Sequence, residues 1–573
     1  MLTYKEISLT EDQEEEFLEE ILTREHFLGH VAYEHTNDKY NPTLYQKLFN
    51  WHPEHFHEEE GVRPSIILGR RGSGKSSYLN NLSHKENVIA ISLKSWEALE
   101  VIETQIHEIL EGGRFLIEAE KVSEIWRLIF LTIATKEIAK YRISDENLKE
   151  IIKKFPVKDF AKITLPNLIL DIMSIFRTKY LSKQNLNVDI VLQSMGIGCE
   201  SLDRWETLIS KAAKGIGKYI IIMIDNPEKL EPDDELLDAS YSDQTRARRM
   251  AYTGLLTLLA HFNRGKVGLQ IRYCVPAEQY SYLKERSNAI LKDYANIRLL
   301  QWSSGDLLSS VAHRYMVCLQ LHKNNRDEER YKELKEIKIY TREGAYKFFN
   351  TILTGSLVND RNFEEDPVGY LLRHTQLLPR QLLVYLNCAI KMAILDDPTT
   401  DLTRLNCKYI KLAIKSRERF LAQEIIDSYQ MAFPEGQAMF EKLINFPIIC
   451  RLQEIQNYWT SYNAKGILKD AIVYPQVSSG FNRFFNFLIE TGILGVAIKY
   501  SETNKYVNTE YEYTVPNKLT AQSEEVVAVH PIFSCITCKS SHEKLGRHTA
   551  IYPKGSSIDD IQTKHEIASK FLN

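Results

Sequence analysis

Short apolar runs of strand length recur through the first half of the chain, and polar or glycine-rich residues bound them. They predict buried β-strands at 65–68, 87–93, 218–225, 266–275 and 296–302. Longer segments with helical spacing lie between them, at 126–141, 167–181 and 246–263. Strands that alternate with helices are typical of a parallel sheet covered by helices. We therefore predict an α/β core over residues 63–302, with a helical insertion.

The pattern differs on both sides of this core. Residues 1–62 form an N-terminal extension, which starts with an acidic segment of roughly helical spacing. Beyond Trp302 the spacing stays helical and predicts a helical lid over residues 303–425. Residues 426–573 show two short helices, at 451–459 and 478–494, and then strand-like runs at 496–500 and 511–516 around a polar tip. Helix, helix and β-hairpin is the order of a winged-helix-like domain.

A glycine-rich turn follows the first predicted strand and precedes a helix pattern. It fits the motif G-x-x-x-x-G-K-[ST] with the residues Gly69, Arg70, Arg71, Gly72, Ser73, Gly74, Lys75 and Ser76, followed by Ser77. Glycines let backbone N–H groups approach phosphate oxygens, and the helix N-terminus adds its dipole. We expect these nine residues, Gly69 to Ser77, to hold the phosphates of a nucleotide, with Lys75 as the catalytic cation.

The third predicted strand supplies a carboxylate. Residues 219–224 are almost purely apolar, and Asp225 ends the run. A buried strand that delivers one acid to a phosphate site is the Walker B pattern. Oxygen ligands suit magnesium, so we expect the Ser76 hydroxyl and Asp225 to hold Mg²⁺, with a water between Asp225 and the metal.

Composition excludes several protein classes. The chain has 573 residues, 44% of them hydrophobic, and a net charge of -4, so it has no overall basic field to attract nucleic acid or an anionic membrane. No apolar run is long enough to span a bilayer, and the acidic start lacks the apolar region of a secretory signal. Eight scattered cysteines suit reduced thiols. We expect a cytoplasmic protein.

The loop, the acidic strand and the helical region behind them resemble the STAND branch of P-loop NTPases, close to AAA+ proteins of the origin-recognition type. The resemblance covers about residues 63–425 and implies ATP with magnesium, which fits the absence of the guanine-reading N-K-x-D motif. In that branch the strand often ends in an aspartate, two further residues and a second acid. Glu228 stands at this position and is implied as the base that activates water. Asn226 and Pro227 lie between the two acids, and no acid follows Asp225 directly, so slow turnover is expected.

The same resemblance implies two arginine sensors. Arg272, near the end of the fourth strand, takes the place of a γ-phosphate sensor, with a surface or salt-bridged arginine as the alternative. Arg380 follows Pro379 at an expected helix start and takes the place of the arginine that reaches the nucleotide from the lid. Arg246, Arg248 and Arg249 offer an arginine finger in an oligomer or simply a solvated helix face.

Two groups of metal-ligand residues are weaker signals. Cys535 and Cys538 form one CxxC, with His542 and His548 downstream, and His52, His55 and His57 precede three glutamates. Zinc sites use such residues, but a structural site of this kind normally has a second ligand pair. Ordinary strand and helix packing around Cys535 is the simpler interpretation.

Three functions remain open at this point. The first is an ATP-dependent switch or assembly ATPase that self-associates or binds a protein partner, and the resemblance links such proteins to bacterial stress and anti-phage systems. The second is a DNA-acting ATPase that reads DNA with its winged helix, although the segment 478–494 is poor in Lys and Arg. The third is a scaffold that holds ATP without hydrolysing it.

Overall fold

The computed structural model describes residues 3–16, 18–19, 22–23, 26–30, 65–83, 85–94, 119–141, 145–153, 162–181, 201–225, 251, 253–259, 268–278, 297–359, 364–430, 432–441, 443, 446–461, 480–498, 506–514, 519–521, 524–536 and 550–556. By internal packing the chain divides into two compact units. The core unit comprises Glu58–Gly69 and Lys75–Leu300, and the lid unit comprises Met1–His57, Arg70–Gly74 and Gln301–Asn573.

The described helices belong to both units, α2 to α6 to the core unit and the others to the lid unit. In chain order they are α1 (Glu11–Glu16), α2 (Lys75–Ser83), α3 (Ala119–Ile138), α4 (Glu146–Lys153), α5 (Leu165–Leu181), α6 (Leu202–Gly215), α7 (Ser304–Leu321), α8 (Glu328–Lys335), α9 (Arg342–Ile352), α10 (Pro367–Arg373), α11 (Pro379–Asp396), α12 (Cys407–Ser428), α13 (Gly436–Glu441), α14 (Leu452–Ser461) and α15 (Gly480–Glu490). Within the described part of the chain, no helix combines the length and apolarity that a bilayer span requires.

The core unit is built on a five-stranded sheet. Its strands are β1 (Ile66–Gly69), β2 (Val88–Lys94), β3 (Tyr219–Asp225), β4 (Leu269–Pro276) and β5 (Ile297–Leu300). The order is β2-β3-β4-β1-β5, and all neighbours are parallel. Nearly continuous apolar runs are typical of strands buried on both faces, and every residue of β1 and β4 is buried. The predicted α/β core and all five of its strands are confirmed.

The path of the chain through this sheet marks one edge of it. From β1 the chain moves to β2 at one end of the sheet, returns through β3 and β4, and then passes β1 to reach β5 at the other end. In open parallel sheets, ligands bind beyond the carboxyl ends of the strands where the direction reverses. The carboxyl ends of β1 and β4 are therefore the expected place for a ligand.

The lid helices follow the predicted segments closely. Helices α7, α9, α10 and α11 match the runs at 303–322, 343–353, 367–375 and 379–395. Their starts are set by side chains that cap free backbone donors, as where the Ser303 hydroxyl accepts from the amide of Asp306 at 3.1 Å. Two small strand pairs complete this region, formed by β6 (Leu353–Thr354) with β9 (Leu405–Asn406) and β7 (Leu357–Val358) with β8 (Glu364–Glu365).

The N-terminal segment packs on these helices within the same unit. The Tyr4 hydroxyl donates to Gln320 Oε1 at 2.6 Å, and the Leu28 amide donates to Asn387 Oδ1 at 2.8 Å. Helix α12 is longer than the lid pattern suggested and runs through the predicted boundary at residue 425.

The C-terminal part of the lid unit contains a second five-stranded sheet. Its strands are β10 (Ile449–Arg451), β11 (Leu494–Ala497), β12 (Tyr506–Glu510), β13 (Val526–Val529) and β14 (Ala550–Pro553), in the order β10-β13-β11-β12-β14. Strands β11 and β12 are antiparallel, with Val496 opposite Glu510. Helices α14 and α15 precede the pair, as the sequence predicts.

The position of the second hairpin strand was predicted wrongly. The strand was expected at 511–516, but β12 lies at Tyr506–Glu510, inside the segment expected to be a polar tip. Residues Glu512–Thr514 form a 3-10 turn instead. The alternation of buried Val507 and Thr509 with more exposed neighbours is a half-buried strand pattern, and Tyr511 then enters the sheet core. In 511–516, Tyr511 and Tyr513 alternate with polar residues, and this alternation led to the wrong assignment of the strand.

Candidate functional site

The glycine-rich loop connects β1 to α2. Strand β1 ends at Gly69 and helix α2 begins at Lys75, which is the predicted context. Gly72 and Gly74 have φ angles of 79° and 93°, in the region that favours glycine. The turn is closed by a hydrogen bond in which the Ser73 amide donates to the Arg70 carbonyl at 3.0 Å. The loop therefore uses its glycines as the motif requires.

The lysine of the motif lies against this loop. Lys75 is buried, with 7% of its surface exposed, and its Nζ donates to the Gly69 carbonyl at 3.0 Å. The side chain of this first residue of α2 thus reaches back to the last residue of β1. Gly69 is buried, whereas Ser76 and Ser77, the next two residues of α2, remain partly exposed.

Ser76 and Asp225 meet, although 149 residues separate them in the chain. The Ser76 hydroxyl donates to Asp225 Oδ2 at 2.6 Å. Asp225 ends β3, where it is paired in register with Cys274 of β4. Cys274 in turn lies 3.9 Å from the Lys75 carbonyl. The sheet order therefore brings the loop helix and the acidic strand to one edge across the intervening strand β4.

Charge interactions at this edge agree with the geometry. Burial raises the pKa of the Cys274 thiol well above its ordinary value, and the Asp225 carboxylate adds to the rise while Lys75 opposes it. Cys274 is therefore a buried, protonated neighbour of both charged residues. Sequence reasoning missed it, because a cysteine in an apolar strand carries no local signal of what it faces.

The donor set at this edge fits magnesium. A serine hydroxyl and a carboxylate are hard oxygen ligands, and magnesium usually takes one or two such ligands from the protein together with phosphate oxygens and water. The described residues include no group of three or more His, Cys, Asp or Glu side chains that could hold a metal by themselves.

Arg272 lies on the fourth strand, as the sequence predicts. It is 1% exposed on β4, opposite Met223 and two positions before Cys274. Its guanidinium donates to Gln270 Oε1 at 2.7 Å and to the Ile271 carbonyl at 3.1 Å. These contacts hold the guanidinium against polar groups of its own strand, and the sensor role of Arg272 stays a prediction.

Arg380 lies where the sequence placed it along the helix. Helix α11 starts with Pro379, and Arg380 follows. Within the lid unit its aliphatic part packs on the glycine-rich loop, since a methyl group at Gly72 would lie 2.9 Å from Arg380 Cβ and 3.2 Å from Cδ. Its Nη2 pairs with Glu424 Oε1 of α12 at 3.0 Å.

Arg70 is held by residues that the sequence did not indicate. Its guanidinium donates to Gln376 Oε1 and lies 5.1 Å from the centre of the Tyr513 ring. Gln376 Nε2 in turn donates to the Thr491 carbonyl at 3.1 Å, so Gln376 links Arg70 to Thr491. No local pattern marks these partners, which come from separate parts of the lid unit.

Trp302 is a further missed neighbour of the loop. Its indole N–H donates to the Ser73 carbonyl at 2.8 Å. A signal for it existed in the sequence, because Trp302 closes the predicted fifth strand and carboxyl ends of parallel strands share one edge. The hydrogen bond restrains a loop carbonyl and so supports the shape of the turn.

Several predicted residues lie outside the described part of the chain: Asn226, Pro227, Glu228, Arg246, Arg248, Arg249, Cys538, His542, His548, His52, His55 and His57. The second acid, the arginine cluster and both metal-ligand groups therefore stay predictions, although Cys535 itself is described. Arg71 is half-buried beside Gly72.

No protein-family model and no curated protein sequence matches this chain. The functional assignment therefore depends on the residues and their geometry.

Proposed function

We propose that the chain binds ATP with Mg²⁺ at the loop Gly69–Ser77 and acts as a nucleotide-dependent switch with slow or partner-stimulated hydrolysis. The contact between Ser76 and Asp225 carries this proposal, because the Ser76 hydroxyl and Asp225 Oδ2, the two groups proposed to hold magnesium, lie 2.6 Å apart. If the glycine-rich sequence were only a chance turn, we would not expect the serine after it to lie beside Asp225 at the end of a distant strand. ATP rather than another nucleotide follows from the resemblance to STAND and AAA+ proteins.

The residues divide the work of binding and catalysis. Backbone N–H groups between Gly69 and Ser77 would cradle the phosphates, and Lys75 would leave the Gly69 carbonyl to stabilise charge on the β- and γ-phosphates. Ser76 and Asp225 would hold magnesium, which supplies charge neutralisation to the transferring phosphoryl group. Glu228 is proposed as the base that takes a proton from water, and Arg380 as the lid residue that contacts the γ-phosphate.

The DNA-acting alternative receives less support. In a winged helix, the helix before the hairpin enters the major groove, and α15 occupies that place in the chain. Arg483, the only arginine or lysine of α15, is engaged by Glu435 at 2.5 Å and lies 4.4 Å from the centre of the Phe433 ring. A protein-contact role of this region, in a switch that self-associates, therefore fits better than DNA reading.

The first experiment compares ATP binding by the full chain and by Lys75→Ala, using a fluorescent ATP analogue with magnesium. Loss of a charge-assisted contact is expected to weaken binding by about 10- to 100-fold. Lys149→Ala is the matched control, since Lys149 is 41% exposed on α4 and pairs with the solvated Glu146.

Phosphate release from ATP, measured on the same samples, separates the open functions. Turnover that is lost in Lys75→Ala supports the ATPase, and stimulation by duplex DNA would favour the DNA-acting alternative. Binding without turnover in any condition would favour the scaffold and reject Glu228 as an active base. Equal ATP binding by the wild type and Lys75→Ala would contradict the proposed site.

A further inference from the structure

Arg380 packs its aliphatic part against Gly72 of the glycine-rich loop. A methyl group built on Gly72 would lie 2.9 Å from Arg380 Cβ and 3.2 Å from Arg380 Cδ, and these are its nearest neighbours. The stem is therefore anchored at the loop, and the guanidinium is free to differ in direction without moving the backbone of α11. Arginine has the flexible stem that such a change requires.

The charge of Arg380 is directed to an acid on another helix. Nη2 lies 3.0 Å from Glu424 Oε1, and the two side chains are 22% and 18% exposed. Arg380 Nε is buried and has no hydrogen-bond partner among the described residues. Arg380 therefore has a donor, Nε, with which it can bind a second anionic group besides Glu424.

We propose that Glu424 is a positioning residue that competes with the nucleotide phosphates for Arg380. The inference rests on the proposed function and deepens it by naming the carboxylate that would compete with the phosphates for Arg380. Phosphate oxygens and a carboxylate seek the same planar donors of one guanidinium. Part of the binding free energy of ATP is then used to separate Arg380 from Glu424.

The competition also connects the nucleotide to helix α12. Release of Arg380 leaves Glu424 partly buried without its cation, which is unfavourable and favours movement of α12 toward solvent. The same helix is joined to the C-terminal region through Glu418, whose Oε2 accepts from the Ser534 hydroxyl at 2.6 Å. Occupancy of the loop is therefore linked to the segment Pro531–Ile536 that follows β13.

The test measures ATP and ADP affinity of the full chain for Glu424→Gln, Arg380→Ala and the double variant. Removing the competing carboxylate is expected to tighten ATP binding by roughly three- to tenfold, with a smaller gain for ADP. The gain should vanish in the Arg380→Ala background, as a double-mutant cycle requires. Glu418→Gln is the matched control on the same helix, because glutamine keeps the acceptor for Ser534.

The measured ATP affinities show whether Glu424 competes with the phosphates for Arg380. Glu424→Gln that leaves ATP affinity unchanged, lowers it, or tightens it equally without Arg380 overturns the role of Glu424. Glu424→Ala serves as a second variant, and thermal melts of all variants show that they are folded. If folded wild-type protein binds no ATP while Glu424→Gln also binds none, the proposed function fails and this inference fails with it. Wild-type binding that is lost in Lys75→Ala but insensitive to Glu424 rejects the inference alone.

Discussion

At the scale of the residue, Gly72 combines two constraints that only glycine meets. Its φ of 79° lies in the left-handed region, and a methyl group there would press on the stem of Arg380 at 2.9 Å. The first constraint could be expected from the motif, since tight phosphate loops need glycine. The second could not, because Arg380 is remote in the chain and no spacing rule connects the two.

Gly72→Ala is expected to lose stability and nucleotide affinity together. The left-handed backbone costs about 1–2 kcal/mol for a residue with a Cβ, and the displaced Arg380 stem adds to this. Chemical denaturation and ATP-analogue titration measure the two effects. Gly217→Ala is the matched control, because Gly217 has a φ of 70° with nothing within 4 Å of an added methyl group. It should show the backbone cost without a change of affinity, and equal affinity losses in both variants would contradict the role given to Gly72.

At the scale of the element, helices and buried strands follow local pattern more faithfully than the hairpin does. Strands β1 and β3 are apolar runs bounded by polar residues, and α11 begins at the proline that its sequence offers. In the hairpin, the alternation of apolar and polar residues extends over only a few residues in each strand, so it predicts the strand positions less well. There the register depends on which side chains reach the core, and Val507 and Tyr511 do so together with Ile551 of β14.

Gly495→Ala is expected to loosen the hairpin β11–β12. A methyl group at Gly495 would lie 2.5 Å from the Glu510 carbonyl and 2.6 Å from the Tyr511 ring. Overpacking of this kind costs about 1–3 kcal/mol. Hydrogen exchange of the amides of β11 and β12 should quicken, and the midpoint of unfolding should fall.

Gly305→Ala is the control for that prediction, because here alanine is expected to keep or raise the stability instead of lowering it. Gly305 lies in α7, and the nearest atom to an added methyl group is Arg342 Cβ at 3.5 Å. Alanine is favoured over glycine inside a helix by about 1 kcal/mol, so this variant should be as stable as the wild type or more so. A destabilised Gly305→Ala or an unaffected Gly495→Ala would contradict the packing described.

At the scale of the whole molecule, residues of the glycine-rich loop belong to different compact units. Lys75 and Ser76 belong to the core unit with Asp225, while Arg70–Gly74 belong to the lid unit with Gln376, Arg380 and Tyr513. Loop residues in the lid unit are thus held by side chains from its helices and from its C-terminal sheet region.

Three histidines of the lid unit have lowered pKa values and are expected to reduce its stability in acid. Burial lowers the pKa of His322 to about 4, and it lowers the pKa values of His374 and His530 well below the ordinary value, with nearby arginines adding to both. The Ile532 amide donates to His530 Nδ1 at 3.1 Å, so neutral His530 carries its proton on Nε2, beside the Tyr513 hydroxyl at 2.7 Å. Protonation of Nδ1 would break this arrangement.

Stability is therefore expected to fall as the pH falls below about 6.5, the ordinary histidine value. A group whose folded pKa is depressed takes up its proton more readily when unfolded, so its full contribution is present above that value and is lost in acid. His322 alone should account for about 2 kcal/mol between pH 7.5 and pH 5. Denaturant titrations across this range measure the slope, and His322→Gln should reduce it. A free energy of unfolding that is constant or rises toward pH 5 would contradict the assignment.

The sequence by itself determined the α/β core, its five strands, the glycine-rich loop and the candidates Lys75, Ser76 and Asp225. These depend on local properties, namely the period of apolar residues and the spacing of glycines, lysine and acid around strand ends. The tertiary structure alone decided that Arg272 donates to Gln270 of its own strand, that β12 begins at Tyr506, and that Arg380 pairs with Glu424. Such pairings join side chains from separate helices and strands, so their energies depend on how the elements pack and leave no periodic trace in the chain.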